Sequence, residues 1–388
     1  MFAPPLAMHM ANELLSVPVA GITLALAAAV VAIAARLARP AAAGGHSPLM
    51  GIMGAFVFAA QMINFTLPGM PGTSGHLGGG VLLAILLGPA AGIVAMAAIL
   101  IVQCLLFQDG GLLALGCNVI NMGVIPCLLG SWLYRVLLGP ATAAVAWRQY
   151  LAAWAACVIG VTAGAAMAPV EAAFSGVLRV PLSQFLGVMV GVHLVVGLCE
   201  GAVTFAVVAY LRRVRPELLG LDPADLAPAD SPVAAHRPGY GVVTASLLVT
   251  AMLLAGVVSW FASTWPDGLE CAIERGQSHF RADASRPSPK IGTVPYDAAE
   301  KAVHNESPLV AAVDRWQSQW SPMTDYTRRE APLGQLPVAG SIESTAAWPN
   351  FDGWRSVAGV LGTIITLSIL YGVSRRMQRT AQRGCEIL

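Results

Sequence analysis

Two histidines in the first part of this 388-residue chain have the type and setting to hold a transition metal: His9 in Met8-His9-Met10, and His76 closing Gly72-Thr73-Ser74-Gly75-His76. If the working chain begins at Met8, His9 is its second residue. The free amine, the amide nitrogen of residue two and that residue's imidazole Nδ1 then close fused chelate rings on one ion. A second histidine completes a four-nitrogen plane. Tetragonal nitrogen sites suit Ni(II) and Cu(II) and accept Co(II). A metal-bound imidazole also needs an acceptor for its other ring nitrogen, and Asn64, Thr73 and Ser74 are the candidates near His76. The plainer readings stay open: His9 as a surface histidine on a short tail, His76 as an early helical residue behind a Thr73 or Ser74 cap.

Other polar residues fall inside apolar runs. His193 and Glu200 are seven apart, on one face of a helix. Ionisable groups at that depth are costly and usually functional, although an interhelical hydrogen-bonded pair explains them as well. Gln61, Asn64, Gln103, Asn118 and Asn121 read as hydrogen-bonding glue between helices. Gln108-Asp109-Gly110-Gly111 reads as an external turn, with Asp109 solvated or, alternatively, near an entry path. The only lysines, Lys290 and Lys301, follow no glycine loop of the GxxxxGK[ST] type, so this chain binds no ATP by a P-loop. No HExxH or GxSxG is present, and nothing points to an enzyme.

The elements that must position these residues are transmembrane helices. Hydrophobic residues make up 56% of the chain and charged residues 11%, with a net charge of +1 that implies no nucleic-acid partner. Five of the seven cysteines (Cys104, Cys117, Cys127, Cys157 and Cys199) lie in apolar runs, which excludes a disulfide framework. Runs long enough for about 30 Å of hydrocarbon occur near 17–38, 49–66, 115–137, 149–170, 184–211, 241–262 and 355–373. The run 77–107 is broken by Gly88-Pro89 and reads as two short spans, for about nine helices in an all-α polytopic fold. Arg36 and Arg39, Arg135 and Arg148, Arg212, Arg213 and Arg215, and Arg375, Arg376, Arg379 and Arg383 then share one side. The positive-inside rule makes that side cytoplasmic, with the N-terminus and His76 outside and the C-terminus inside. Residues 1–7 carry neither a basic n-region nor an apolar h-region, so they do not read as a cleavable signal. The expectation is a start at Met8.

Three parts follow: a seven-span module over 8–213, a Pro/Ala/Asp-rich cytoplasmic linker over 214–238, and a two-span module over 239–388. The last carries an external segment, about 263–353, to which no regular structure is assigned.

Several motifs then coincide in order. Met8-His9-Met10 through Leu15-Ser16-Val17-Pro18-Val19, the run Phe56 to Phe65, Gly72-Thr73-Ser74-Gly75-His76-Leu77, Leu106-Phe107-Gln108-Asp109-Gly110-Gly111, and Asn118 with Asn121-Met122-Gly123-Val124 resemble the substrate-capture (S) components of nickel/cobalt energy-coupling-factor transporters, the NikM/CbiM family. Trp265-Pro266-Asp267-Gly268-Leu269-Glu270 resembles the PDGLE motif of the accessory N component, fused here behind the linker. The resemblance implies high-affinity uptake of Ni(II) or Co(II) across a bacterial inner membrane, linked to cobalamin biosynthesis in the cobalt branch. It implies Met8, His9 and His76 as ligands, and a separate membrane coupling (T) subunit and ATPase subunits as partners beside the lipid. The chain departs from the family's start at Asn12-Glu13. Two other classes fit less of the sequence: a secondary metal–proton permease using His193 and Glu200, which predicts inverted repeats that are not found, and a membrane metal sensor without transport.

Overall fold

The computed structural model describes residues 9–38, 47–70, 72–139, 146–178, 180–219, 221, 239–263, 265, 267–269, 305, 307–326, 349, 351 and 353–385. Met8 and most of the linker lie outside the described residues. Ten helices are described: α1 (Val17–Leu37), α2 (Ser47–Gln61), α3 (Gly80–Leu87), α4 (Pro89–Phe107), α5 (Leu115–Leu138), α6 (Ala146–Phe174), α7 (Leu182–Val214), α8 (Tyr240–Gly256), α9 (Pro308–Trp320) and α10 (Gly353–Cys385). Among the described residues, six helices (α1, α4, α5, α6, α7 and α10) are long and apolar enough to cross a membrane, and α2 and α8 are shorter apolar helices. The chain is an all-α, multi-pass membrane protein.

The break expected within 77–107 is present, but unevenly. Gly88 (φ 81°) and Pro89 end α3 and start α4, because Pro supplies no N–H to continue a helix. The eight residues of α3 rise only about 12 Å, well short of the bilayer, whereas α4 is full length. The backbone of residues 76–79 enters α3 without helical structure.

α6 and α7 pack along one another, and α8 and α10 pack together on α2. In lipid the association of helices relies on close van der Waals contact rather than on escape from water. Glycines supply that closeness: a Cβ on Gly54 would strike Leu370, and one on Gly362 would strike the fully buried ring of Phe58. The second module is thereby keyed into the first. α1 instead exposes Ile22, Leu26 and Ile33 at 68, 53 and 55%, a surface fit for lipid.

Three π-helical turns interrupt two of the helices. α4 ends in a π-helical turn, Gln103–Phe107, and α5 contains two more, Val119–Val124 and Pro126–Gly130. Pro126 withholds a backbone donor within α5, and the wider turns accommodate it. Within 263–353, to which the sequence assigns no regular structure, α9 is followed by a short 3-10 turn at Thr324–Tyr326. Ser307 and Pro308 start α9, and Val310 and Gln317, one face apart by two turns, are its buried residues.

Candidate metal centre

His9 is brought to the site by irregular backbone before the 3-10 turn Asn12–Leu14, which other residues grip. The Met10 N–H donates to Asn118 Oδ1 at 3.0 Å, and Asn118 Nδ2 donates back to the Met10 carbonyl at 3.2 Å. The Gly111 N–H reaches the same carbonyl at 2.9 Å. Asn12 Oδ1 accepts the Leu113 N–H at 2.6 Å. This proximity needs glycine: Gly110 sits at φ 94°, and a Cβ there would be 3.0 Å from the Cβ of His9.

His76 arrives from the opposite side. A two-residue antiparallel ladder, Phe65 opposite Gly75 and Thr66 opposite Ser74, folds the loop back and delivers His76 directly after its second strand. The rings of His9 and His76 meet edge to face, with centroids 5.3 Å apart and planes at 73°.

His9 is buried, and its Nδ1–H donates to Asp109 Oδ1 at 2.8 Å. The Nε2 atom is buried without a partner, a state that a buried polar atom rarely keeps without a reason. Asp109 corrects the sequence reading, which left it solvated: it is 3% exposed. Its second oxygen accepts the Tyr326 hydroxyl at 2.6 Å. Burial alone would raise the Asp109 carboxyl, yet His9 and the Tyr326 hydroxyl hold it below the usual carboxylate range. His76 is pushed down to about 4, first by burial and then by the facing His9 ring, so at neutral pH it presents a lone pair rather than a charge. Its Nδ1 lies 3.3 Å from the Leu77 carbonyl.

The second module forms one wall. Gln317 commits its whole amide: Nε2 donates to the carbonyls of Cys104 (3.1 Å) and Gly110 (2.8 Å). Its Oε1 accepts from the Leu112 N–H (3.0 Å) and Asn12 Nδ2 (3.2 Å). Asp325 and Tyr326 both take left-handed backbone, φ 50° and 59°, a conformation that costs a non-glycine residue roughly 1–2 kcal/mol. That turn stacks Tyr326 on Phe107 with centroids 4.7 Å apart and aims its hydroxyl at Asp109. Asn305 Nδ2 also donates to the carbonyls of Glu13 and Leu15.

The other residues singled out from the sequence have these places. Ser74 Oγ donates to the Trp265 carbonyl at 2.6 Å, and the Asn64 carbonyl accepts the Ser263 N–H at 2.7 Å, so both tie the His76 loop to the second module. The side-chain oxygen of Asn64 is buried without a partner. Thr73 is buried at the loop's neck, its N–H donating to Met70 and its carbonyl accepting from Leu67. His193 and Glu200 do not bond each other: His193 Nδ1 donates to Met189 O within its own helix, and Glu200 accepts the N–H groups of Gly78 and Gly79. Gly268 of the PDGLE motif lies so close to His193 that a Cβ would be 2.8 Å from its ring. Asn121 Nδ2 donates to Glu171 at 2.7 Å beside the Met10 thioether.

A buried imidazole with a bare Nε2, a half-buried imidazole facing it edge-on and a carboxylate behind the first are groups of the kind that late first-row divalent cations accept. Among the described residues no three His, Cys, Asp or Glu side chains converge, so further donors have to come from elsewhere, such as backbone. Asp109, Tyr326 and Gln317 were missed as site residues; Asp109 was hidden by its glycine-rich turn, and the other two lie more than 200 positions from their partners.

Comparison with known proteins places the chain in a family. Residues 9–218 match the CbiM family, described as the cobalt uptake substrate-specific transmembrane region, and residues 242–379 match the PDGLE domain. A fused nickel transport protein NikMN of Rhodobacter capsulatus is 30% identical over 315 residues, covering 76% of this chain and 82% of that protein. A putative metal transport protein of Haloquadratum walsbyi is 36% identical over 212 residues, 55% of this chain and 93% of its own length. A cobalt transport protein CbiM of Geobacter sulfurreducens is 29% identical over 284 residues, 70% and 78% of the two chains. The chain belongs to the CbiM family of substrate-specific metal-uptake membrane proteins, here fused to a PDGLE domain.

Proposed function

We propose that this chain captures Ni(II) or Co(II) at the site between His9 and His76 and is the substrate-specific subunit of an energy-coupling-factor transporter. The observation that carries the reading is the edge-on pair of imidazoles, His9 buried with its Nε2 left bare and His76 half-buried against it. The ion is cargo, so the site has to select it and later release it.

The donor set expected from the sequence uses the Met8 amine, the His9 amide and His9 Nδ1. Nδ1 is given to Asp109 here, so forming the chelate exchanges that bond for the metal. The amine requires Met8 as the first residue of the working chain. Ligand deprotonation accompanies binding, so affinity falls on acidification. The second module's segment 305–326 closes the site by its bonds to Asp109, Gly110 and Leu112.

Nine crossings with the N-terminus outside, the loop at 76–79 and α3 together making the one that α3 alone is too short for, rest on the arginine clusters and are retained as part of the proposal, as are placement in a bacterial inner membrane and partnership with a T subunit and ATPases. The relatives are named for both nickel and cobalt, and the cargo is left as either. A permease relaying protons between His193 and Glu200 finds no support, because each is bonded elsewhere.

Metal content of the purified full chain tests the reading. Wild type is expected to retain about one Ni(II) or Co(II) per chain, and His9→Ala and His76→Ala to lose it. Unchanged retention in both variants overturns the assignment. Mass spectrometry of the N-terminus tests the amine.

A further inference from the structure

We propose that Glu200, in the middle of α7, is the positioning residue of the His76 ligand, acting through the Leu77–Gly78 peptide and selecting the imidazole tautomer. The inference rests on His76 being a metal ligand. Glu200 is 2% exposed and has no cationic partner among the described residues. Its carboxylate is satisfied by backbone instead: Oε2 accepts the Gly78 N–H at 2.6 Å and Oε1 the Gly79 N–H at 3.0 Å.

The Gly78 N–H and the Leu77 carbonyl belong to one peptide unit. Glu200 therefore grips one end of the peptide whose other end receives His76 Nδ1 at 3.3 Å. A ring nitrogen facing a carbonyl must carry the proton. Nδ1 is thereby the protonated atom, and Nε2 is left with the lone pair that a metal requires. A carboxylate at the far end of the peptide strengthens the carbonyl as an acceptor, because hydrogen bonds in series polarise one another.

Gln61 completes the clamp from α2. Its Nε2 donates to the Gly78 carbonyl at 2.6 Å, and its Oε1 accepts from Gln103 Nε2 at 3.0 Å. Side chains from two helices thus satisfy three backbone groups of Gly78 and Gly79. Non-helical backbone at membrane depth is tolerated only where protein supplies such partners. Glycine is needed here: Gly79 has φ 77°, and a Cβ on Gly78 would come within 3.1 Å of Glu200 Oε2. An intramembrane carboxyl at this position is explained by a loop that must be held rigidly while it carries a ligand. A packing role alone requires no carboxyl.

The test compares Glu200→Gln, His76→Ala and the double variant in the detergent-solubilised full chain, reading Ni(II) affinity by chelator competition and the His76 tautomer by 15N NMR of the metal-free protein. Gln places an amide N–H against one of the two glycine N–H groups, so the clamp is lost at nearly constant volume. The expected result is a roughly 10–100-fold weaker affinity, a mixed His76 tautomer, and no further loss when Glu200→Gln is added to His76→Ala. Unchanged affinity in Glu200→Gln overturns the proposal while leaving the metal site intact. Loss that adds to that of His76→Ala, or binding weaker than in His76→Ala alone, assigns Glu200 to general packing and also overturns it. A His76→Ala chain that binds normally removes the metal site itself, and the positioning role falls with it.

Discussion

The Tyr326 hydroxyl offers a clean perturbation because the rest of its side chain has a separate job. In Tyr326→Phe the ring stays stacked on Phe107 at 4.7 Å, so no cavity opens. Only the 2.6 Å bond to Asp109 Oδ2 disappears. A hydrogen bond to a charged group contributes about 1.5–3 kcal/mol. At 1.4 kcal/mol per tenfold, complete transmission to the metal would weaken binding by roughly 10–150-fold. Asp109 keeps its bond to His9, so the lower end of that range is expected, about tenfold. The lost donor also lets the Asp109 carboxyl rise towards its ordinary range. Because the native carboxyl is held low, its protonation, and with it the acid-induced loss of metal, shifts to higher pH in the variant. Chelator-competition titrations of the solubilised full chain across pH 4–8 measure both effects. Affinity within about twofold of wild type at every pH, in a preparation where His9→Ala abolishes binding, would refute the chain of support from Tyr326 through Asp109 to His9.

Three further outcomes follow from the geometry. His76, with its imidazole lowered from 6.5 to about 4, should stay neutral by NMR until near pH 4. Between those values the unfolded chain binds the proton and the folded one does not, so metal-free stability should fall as pH drops from about 6.5 to 4 and be flat above; a melting temperature independent of pH across that window contradicts the assignment. Gln317→Leu removes four hydrogen bonds, worth about 0.5–1.5 kcal/mol each, and should speed amide exchange at Leu112, Met323 and Tyr326; unchanged protection there counts against a docked segment. Gly362→Ala drives a Cβ into Phe58 between α2 and α10 and should cost about 1–3 kcal/mol, read as a lower melting temperature, whereas wild-type melting would mean the two helices are not in close contact.

Much of the architecture could be read from the sequence because lipid imposes simple demands. Long apolar runs had to become helices, and the Gly88-Pro89 break had to interrupt one. What escaped was length: α3 is too short to cross because the loop before it replaces helix with side-chain-satisfied backbone, and no periodicity records that substitution. His9 and His76 stood out through their unusual settings, and the structure does bring their rings together. Asp109 did not, since Gln-Asp-Gly-Gly has the composition of any solvated turn. Its burial is created by Tyr326 and Gln317, whose contacts span more than 200 residues. The helix that carries Gln317 did leave a signal, a Ser-Pro start at Ser307 and Pro308 followed by amphipathic spacing. A mixed-charge, proline-rich context masked it.

The bond between Asp109 and Tyr326 joins residues 217 positions apart, and that separation has a meaning in time. At about 5–20 residues per second, roughly 10–40 s of synthesis pass between the two. Throughout that interval His9, His76 and Asp109 are already made while the wall that closes over them is not. The site therefore matures last, and a chain halted before its final module would present both imidazoles to any passing metal without the means to hold them in register.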